Sequence, residues 1–333
     1  MGIAHDKNAT DTSALNVRAD VNGLLRQREA ETRNRLAVDP DLYRLGELDC
    51  LYEQDQATLW TYMNPIGRPS FNPSMLDDFR RWQNAIRTSF GPDKLPLSFL
   101  VLGSRCPGVF CYGGDLDLFV SHIRAGNREA LVDYGRKCVG ILHRNMHALD
   151  LPMVTIGLVE GDALGGGFEA LLSFDLIIAE KGSKFGLPET MFGLFPGMGA
   201  HCILSRKLGT AMAERMIMGG KTYIAEELYD MGLVHELVEP GEGVAAVRKF
   251  IRREKRRLSG RLGSNRAMNL VADIRLEELQ AVVELWADSA LKLREQDLKL
   301  MLKLVSAQTR VRKQAMDDVT HIGQPRNLAD GAE

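Results

Sequence analysis

The stretch from Val154 to Ala179 constrains the fold most, because strand and helix patterns alternate there over a short distance. Residues 154–160 form an apolar run of strand length, and Gly165, Gly166 and Gly167 follow, directly before a helical pattern. A second apolar run, at residues 176–179, has the length of another strand. Strands that alternate with helices are typical of βα units, so we expect an α/β protein with a mostly parallel, layered sheet.

The residues before this stretch continue the alternation. Residues 57–63 and 97–103 are apolar runs of strand length. Between them, Ser74 is a candidate N-cap for a helix with regularly spaced apolar residues, and Asp115 is a candidate N-cap for a helix that starts at Leu116. We therefore expect strands and helices to alternate from about residue 57 onward.

Changes in composition divide the chain into four parts. Residues 1–50 are polar and charge-rich and predict a partly mobile N-terminal arm. Residues 51–250 carry the strand–helix alternation and predict the core that holds the chemistry. Residues 251–320 predict a helical C-terminal region, and residues 321–333 predict a tail. The long apolar faces of the helical region either contact a partner subunit or fold back on their own domain.

Composition excludes several classes of protein. The 333 residues carry a formal net charge of -2, which does not suggest a nucleic-acid partner. No apolar stretch approaches the ~20 residues of a membrane helix, and the first residues lack the apolar segment of a signal peptide, so we expect a cytoplasmic protein without membrane insertion. The five cysteines are irregularly spaced and the histidines are scattered, which predicts neither a disulfide framework nor a metal site.

Two glutamates are the candidate acid/base groups. Glu169 lies two residues after the glycine triplet, within an apolar run, and burial of such a carboxyl raises its pKa toward the range useful for proton transfer. Glu189 follows Pro188, which favours a helix N-terminus. Each also has a structural interpretation, since Glu169 can cap a neighbouring amide and Glu189 can compensate a helix dipole. Two carboxyls in apolar surroundings that hold different protonation states can remove one proton and deliver another.

The glycines supply candidate hydrogen-bond donors. Glycines at a strand-to-helix junction let a ligand approach the backbone, where the unpaired amides of the first helical turn bind a phosphate or a developing oxyanion. A structural tight turn explains the triplet equally well. Gly113 and Gly114 form a second glycine segment that offers another amide. The turn at Phe195 to Gly199, FPGMG, is assigned no chemistry.

Three sequence segments carry a resemblance to a known family. The segment GDALGGGFEALLSFDLIIAEKGSKFGLPE, together with YGGDL before it and YIAEELYDMGLVHELVEPGEG after it, resembles the crotonase (enoyl-CoA hydratase/isomerase) superfamily over about residues 57–250. Within that superfamily the chain is most similar to the diffusible signal factor synthases, in VEGDALGGGFEA, GLPETMFGLFPGMGA and VVELWADSALKL. The resemblance implies a crotonase-type ββα spiral core with a C-terminal helical trimerisation region.

By position, the resemblance also implies the site. The two catalytic glutamates of the family fall on Glu169 and Glu189, and its oxyanion-hole amides fall on Gly114 and Gly166. Candidates for the wall of an acyl pocket are Phe168, Leu187, Met191, Phe192 and Trp286, although each of them is also a normal core residue.

The implied function is the synthesis of a cis-2-unsaturated fatty acid signal. A 3-hydroxyacyl group on acyl carrier protein is dehydrated, and the thioester is then hydrolysed, with no cofactor beyond the carrier. One alternative is an enoyl-CoA hydratase that acts on a coenzyme A thioester, and another is a non-catalytic regulatory partner of a sensor kinase. The expected assembly is a homotrimer or hexamer. The basic run from Arg252 to Arg257 is either a contact for an acidic carrier or a solvated helix face.

Overall fold

The computed structural model describes residues 38–322, with side chains through residue 310, and its strands form two sheets. The larger sheet has the order β1-β2-β3-β5-β7-β10, and its β1–β2 pair is antiparallel while the other pairs are parallel. Its strands are β1 (Leu48–Glu53), β2 (Thr58–Met63), β3 (Phe99–Ser104), β5 (Val154–Val159), β7 (Leu176–Glu180) and β10 (Glu236–Val238).

Three of the four strands of the smaller sheet directly follow a strand of the larger one. The smaller sheet has the order β4-β6-β8-β9 and contains β4 (Gly108–Cys111), β6 (Gly161–Leu164), β8 (Lys184–Gly186) and β9 (Thr222–Ile224). Its β4–β6 and β6–β8 pairs are parallel and its β8–β9 pair is antiparallel. Because β3, β5 and β7 each lead into a strand of the second sheet, the repeated unit is strand, strand, helix. The predicted ββα core is confirmed.

Helices surround the sheets and continue to the end of the described residues. They are α1 (Pro73–Ser89), α2 (Leu116–Arg124), α3 (Arg128–Met146), α4 (Gly166–Leu171), α5 (Ala200–Leu208), α6 (Thr210–Gly219), α7 (Ala225–Asp230), α8 (Gly243–Glu254), α9 (Leu258–Val271), α10 (Leu276–Ala290) and α11 (Glu295–Ile322). None of the helices in residues 38–322 is both long and apolar enough to cross a membrane.

The N-caps of α1 and α2 test the two capping predictions. Helix α1 is capped by Asn72, whose side chain accepts a hydrogen bond from the amide of Met75 at 2.8 Å, and Pro73 occupies its first position. The predicted cap, Ser74, was therefore wrong by two residues, because Pro73 lacks an amide and fits the first turn. Asp115 caps α2 by accepting from the amide of Leu118, as predicted.

The first strand begins inside the range predicted as an N-terminal arm. Strand β1 pairs with β2, and Leu42, Leu48 and Cys50 are buried. The packed core thus includes residues before position 50. The remainder of the predicted arm, residues 1–37, lies outside the described residues, as do residues 323–333 of the predicted tail.

Two buried tryptophans pack on opposite faces of the larger sheet. Trp82 of α1 and Trp60 of β2 are almost completely buried, in separate apolar clusters. Each indole is nevertheless hydrogen-bonded: Trp82 Nε1 donates to Thr61 Oγ1 at 2.9 Å, and Trp60 Nε1 donates to Glu53 Oε2 at 3.1 Å. Both faces of this sheet are therefore covered, which is the normal state of a parallel sheet.

The helical C-terminal region folds back on its own chain. Helix α10 packs on α3, and Leu279 and Val283 are completely buried. At the rim, Arg128 pairs with both Glu284 and Asp288. Helix α11 packs on α2 and on the short helix at Pro188–Phe192. These contacts bring α10 and α11 to the end of the sheets where the glycine segments lie.

Candidate active site

Glu169 is a buried carboxyl held by the backbone of a separate loop. It lies on α4 with 1% of its surface exposed. Its Oε1 accepts hydrogen bonds from the amides of Met198 at 2.8 Å and Ala200 at 2.9 Å. Burial raises the pKa of Glu169 to about 7, even though the hydrogen bonds from the loop favour its ionised form. Glu169 therefore changes its charge near neutral pH.

The loop that holds Glu169 is the turn FPGMG, to which the sequence analysis assigned no chemistry. Gly199 has a φ of 118°, which turns the chain directly into α5 at Ala200. The amide of Ala200, at the first position of that helix, has no partner within the helix, and Glu169 accepts from it and from the loop amide of Met198. The glycines signalled a turn before a helix, but they did not reveal which carboxylate the exposed amides would bind.

Glu189 faces the same space with one oxygen that is not hydrogen-bonded. It lies on the short 3-10 helix Pro188–Phe192, near the helix N-terminus as predicted. Its Oε1 lies against Gly165, where an added Cβ would come within 2.7 Å of it, and its Oε2 is buried without a hydrogen-bond partner in the described residues. Burial raises the pKa of Glu189 well above the ordinary value, and repulsion from Glu169 raises it further.

The two carboxyls therefore differ in environment. Two backbone amides stabilise the ionised form of Glu169, whereas no hydrogen bond stabilises an ionised Glu189 Oε2. Since the two groups repel each other when both are charged, the pair retains a proton near neutral pH, with Glu189 as its favoured holder. An ionised and a protonated carboxyl facing one cavity can exchange two protons with a ligand.

The two predicted amide donors lie side by side. Gly113 has a φ of 89°, and a Cβ there would come within 2.5 Å of the Gly166 nitrogen. A Cβ on Gly166 would lie 3.5 Å from the Gly114 nitrogen. Among the hydrogen bonds of the described residues, the amides of Gly114 and Gly166 have no acceptor. The structure thus brings together two free donors that are suited to an oxyanion.

A cavity of about 110 Å³ connects these groups. Its polar side contains Glu169, Glu189, Gly114 and Gly166, and its apolar side includes Phe119, Phe192, Trp286 and Leu304. Trp286 packs edge-on against Phe119, with ring centroids 5.0 Å apart. Gln308 of α11 also lines the cavity. Sequence reasoning missed Phe119, Leu304 and Gln308, because the positions at which α2 and α11 meet the site depend on tertiary packing.

Three of the predicted pocket residues lie elsewhere. Phe168 precedes Glu169 on α4, and because neighbours on a helix point in different directions, its ring packs on Phe185 in the core. Leu187 is also buried outside the cavity wall, and Met191 is 59% exposed. Phe192 and Trp286 do line the cavity.

One cysteine lies close to the proposed amide donors. Cys111 lies next to the glycine segments, but burial raises the pKa of its thiol to about 12, so it is not a thiolate near neutral pH. Within residues 38–310, no group of three or more His, Cys, Asp or Glu side chains is arranged to hold a metal ion.

Several side chains in and near the basic run form ion pairs with one buried carboxylate. Glu254 is 1% exposed at its side chain and pairs with Arg253, Arg257 and Arg261. Burial opposes its charge, but these guanidinium groups hold the pKa of Glu254 at about 2. Lys255 Nζ donates to the carbonyl of Asp55 at 2.7 Å. These cations stabilise the junction between α8 and α9, which accounts for them without a carrier protein.

Comparison with known proteins gives a consistent family. The sequence model of the enoyl-CoA hydratase/isomerase family matches residues 70–254. The chain is 32% identical over 164 residues to mitochondrial methylglutaconyl-CoA hydratase of Rattus norvegicus, covering 46% of each protein. It is 33% identical over 178 residues to the probable mitochondrial enoyl-CoA hydratase 2 of Arabidopsis thaliana, covering 54% of this chain and 55% of the relative. The chain therefore spans about half the length of the curated relatives it matches.

Solved structures agree with the fold. A structure of DspI from Pseudomonas aeruginosa has 26% sequence identity and a TM-score of 0.54, covering 63% of this chain and 75% of that one. Enoyl-CoA hydratase from Bacillus halodurans has a TM-score of 0.63 at 20% identity, covering 78% of this chain and 100% of that one. The second likeness, at that identity, shows the fold alone.

Proposed function

The chain belongs to the enoyl-CoA hydratase/isomerase family, and on that premise we propose that it dehydrates a 3-hydroxyacyl thioester and then hydrolyses the product to a free cis-2-unsaturated fatty acid. The observation that carries this proposal is the pair of carboxyls with raised pKa values, Glu169 and Glu189, opposite two free amides. The proposed carrier of the acyl group is acyl carrier protein.

In the dehydration step, the glutamate without a proton takes the α-proton of the thioester. The carbonyl oxygen gains negative charge as the enolate forms, and the amides of Gly114 and Gly166 stabilise that charge. The other glutamate gives its proton to the 3-hydroxyl group, which leaves as water while the double bond forms between the two carbons. The reaction thus exchanges the protonation states of Glu169 and Glu189.

In the hydrolysis step, the two glutamates regain their original protonation states. The glutamate that has lost its proton takes one from water, and the resulting hydroxide attacks the thioester carbon. The same two amides stabilise the tetrahedral oxyanion. The carbon–sulfur bond then breaks, and the glutamate that took the α-proton gives that proton to the departing thiolate of the carrier. Both carboxyls return to their starting states, so one pair of residues can complete both steps.

The resemblance to the diffusible signal factor synthases supports the finer parts of the proposal. It rests on the segments around Glu169, Glu189 and Trp286, and these residues line one cavity. The apolar side of that cavity suits the methylene groups of an acyl chain. Of the two solved structures compared, DspI has the higher sequence identity with this chain, 26% against 20% for the Bacillus halodurans hydratase.

Mass spectrometry of the products tests the proposal. Purified protein is incubated with a 3-hydroxyacyl thioester of acyl carrier protein, and the released lipids are compared with those from a Glu169→Gln/Glu189→Gln variant. We expect a free cis-2-enoic acid with the native protein and none with the variant. An equal yield of free acid from both would show that the two glutamates do not carry the reaction.

A second candidate function is a hydratase of enoyl-CoA, which the names of the curated relatives favour. It would use the same carboxyls and amides but would leave the thioester intact. A trans-2-enoyl product that remains attached to coenzyme A, without free acid, would support this function. A third candidate is a non-catalytic partner of a sensor kinase, for which unchanged kinase binding by the double variant and absence of any product would be the signature.

The dependence of activity on pH follows from the carboxyl pair. Since the reaction needs one ionised and one protonated glutamate, kcat/KM should rise as Glu169 loses its proton near its pKa of about 7. It should fall again at higher pH, as Glu189 loses its proton. The measurement is kcat/KM from about pH 5 to about pH 10, with circular dichroism at each pH as the control for unfolding. A rising limb at the ordinary carboxyl pKa of 4.5 would contradict the assignment.

A further inference from the structure

A second cavity lies directly behind the first. It has a volume of about 30 Å³ and is bounded by α1, α3 and the residues at and after the end of α4. Consecutive residues of α4 separate the two spaces, since Glu169 lines the first cavity and Ala170 lines the second. Met198 lines both cavities. We call the second space the distal cavity.

Met198 is the side chain between the two cavities. Its backbone amide holds Glu169, and a Cβ on Gly166 would lie only 2.5 Å from its Sδ, so the thioether reaches the backbone of the proposed oxyanion hole. Methionine is unbranched and has three rotatable side-chain bonds, so it can change rotamer more easily than a branched residue. A rotation of this side chain would join the distal cavity to the site without moving the loop that holds Glu169.

The side chains that line the distal cavity are mostly apolar, and two of them carry an amide group. Its walls include Leu76, Phe79 and Leu142, and almost all of its exposed lining is apolar. Gln83 and Asn145 also line it, and each has a buried amide oxygen without a hydrogen-bond partner in the described residues. An aliphatic group brought against such oxygens would prevent any donor from reaching them, which carries a desolvation cost.

Hydrogen bonds donated by the amide nitrogens fix the orientation of the Gln83 and Asn145 side chains. Gln83 Nε2 donates to the carbonyl of Ile141 at 2.9 Å, and Asn145 Nδ2 donates to Ser173 Oγ at 2.9 Å. The oxygens therefore cannot turn away from an incoming ligand without losing these bonds. This arrangement favours a chain that fills the apolar part and stops before the two amides.

We propose that the distal cavity receives the far end of the acyl chain, that Met198 opens the passage to it, and that Gln83 and Asn145 limit the length of the chain. This inference rests on the proposed function, because it assumes an acyl thioester at the carboxyl pair. The first cavity has a volume of about 110 Å³, and the distal cavity, of about 30 Å³, lies against it on the other side of Met198. A chain that extends past Glu169 therefore meets Met198 first and the distal cavity behind it.

Binding of two inert ligands tests the proposal. The ligands are the butyl and dodecyl thioethers of pantetheine, the arm that coenzyme A and acyl carrier protein share, and calorimetry gives the ratio of their affinities. In Leu142→Phe the added ring fills the distal cavity. Each methylene kept out of an apolar site costs about fourfold in affinity. The distal cavity has room for about one such group, so its loss should lower the dodecyl-to-butyl ratio by about fourfold.

Two further variants make the test decisive. Leu48→Phe is the matched control, because Leu48 is about as buried as Leu142 but lines neither cavity, and its affinity ratio should equal that of the native protein. Met198→Ala widens the passage and should raise the ratio. If Leu142→Phe does not fold, Ile141→Phe takes its place, because Ile141 is only partly buried and lines the distal cavity alone.

Three results would overturn the proposal: a native protein that does not prefer the dodecyl ligand, an unchanged ratio in Leu142→Phe or Met198→Ala, and an equal loss in Leu48→Phe. An unchanged ratio would place the chain along α11, beside Trp286 and Leu304, instead. An equal loss in Leu48→Phe would show that the effect does not come from the distal cavity. Because the thioethers do not react, their binding is independent of turnover. A changed ratio without any free acid from hydroxyacyl substrates would retain the distal cavity and reject the proposed function.

Discussion

Glu169→Gln and Glu189→Gln are each expected to reduce kcat/KM for the 3-hydroxyacyl thioester by about 10²–10⁴-fold, the usual contribution of a positioned acid or base. Glutamine preserves the size of the side chain and can still accept hydrogen bonds, but it neither takes nor gives a proton in this range. Because the two residues act as one pair, removal of the second should add little, and the double variant should be about as slow as the slower single variant. The measurement is steady-state release of free acid.

A measurement of stability distinguishes this loss of activity from a loss of the folded structure. The pKa of Glu169 in the folded protein, about 7, lies above its ordinary value of 4.5, so folding favours the protonated form. The corresponding stability is present below pH 4.5 and is lost as the pH rises through 7. Glutamine avoids this cost, so Glu169→Gln should be more stable than the native protein at about pH 8, by up to ~3 kcal/mol. A variant that is both inactive and less stable at that pH would argue for a purely structural Glu169.

Gly113→Ala is expected to remove most of the activity and to lower stability at the same time. An alanine Cβ would lie 2.5 Å from the Gly166 nitrogen and 3.0 Å from the Leu164 carbonyl oxygen, so the two glycine segments must separate. Loss of one oxyanion donor costs about 10²–10³-fold in kcat. The φ of 89° adds backbone strain for any residue with a side chain. Both kcat and the midpoint of thermal unfolding should be measured.

Gly126→Ala is the matched control for this variant. Gly126 also has a positive φ, of 63°, but a Cβ there would meet nothing within 4 Å. It should therefore show the backbone strain alone, about 1–2 kcal/mol, with little change in kcat. If Gly113→Ala lost no more activity than Gly126→Ala, the proposed pair of amides at Gly114 and Gly166 would not contribute to the reaction.

Local patterns were sufficient to predict much of the architecture. Apolar runs at residues 57–63, 97–103 and 154–160 correspond to β2, β3 and β5, because buried parallel strands need apolar residues on both faces. Asp115 was predicted correctly as a cap because the bond it makes lies within one turn of its own helix. Such features depend on residues close together in sequence.

Features that depend on distant contacts were missed. The first three residues of β1 were assigned to a partly mobile N-terminal arm, because the strand is recognisable only through its pairing with β2. The turn FPGMG was left without a role because its partner, Glu169, lies about thirty residues earlier in the chain. Phe168 and Leu187 were predicted to line the pocket but are buried outside it, since side chains of residues near each other in sequence point to different sides.

The cavity is completed by residues from two very different stretches of the chain. The carboxyls and amides lie within residues 70–254, where the family model matches, whereas Trp286, Leu304 and Gln308 lie beyond it. The groups for proton transfer are therefore encoded in the matched stretch together with Phe119 and Phe192, whereas the rest of the apolar wall is encoded after it. Recombination that exchanged α10 and α11 between relatives would transfer this part of the apolar wall as one unit. Substitutions in those helices would likewise change which acyl chains fit, while the carboxyls and amides stay the same.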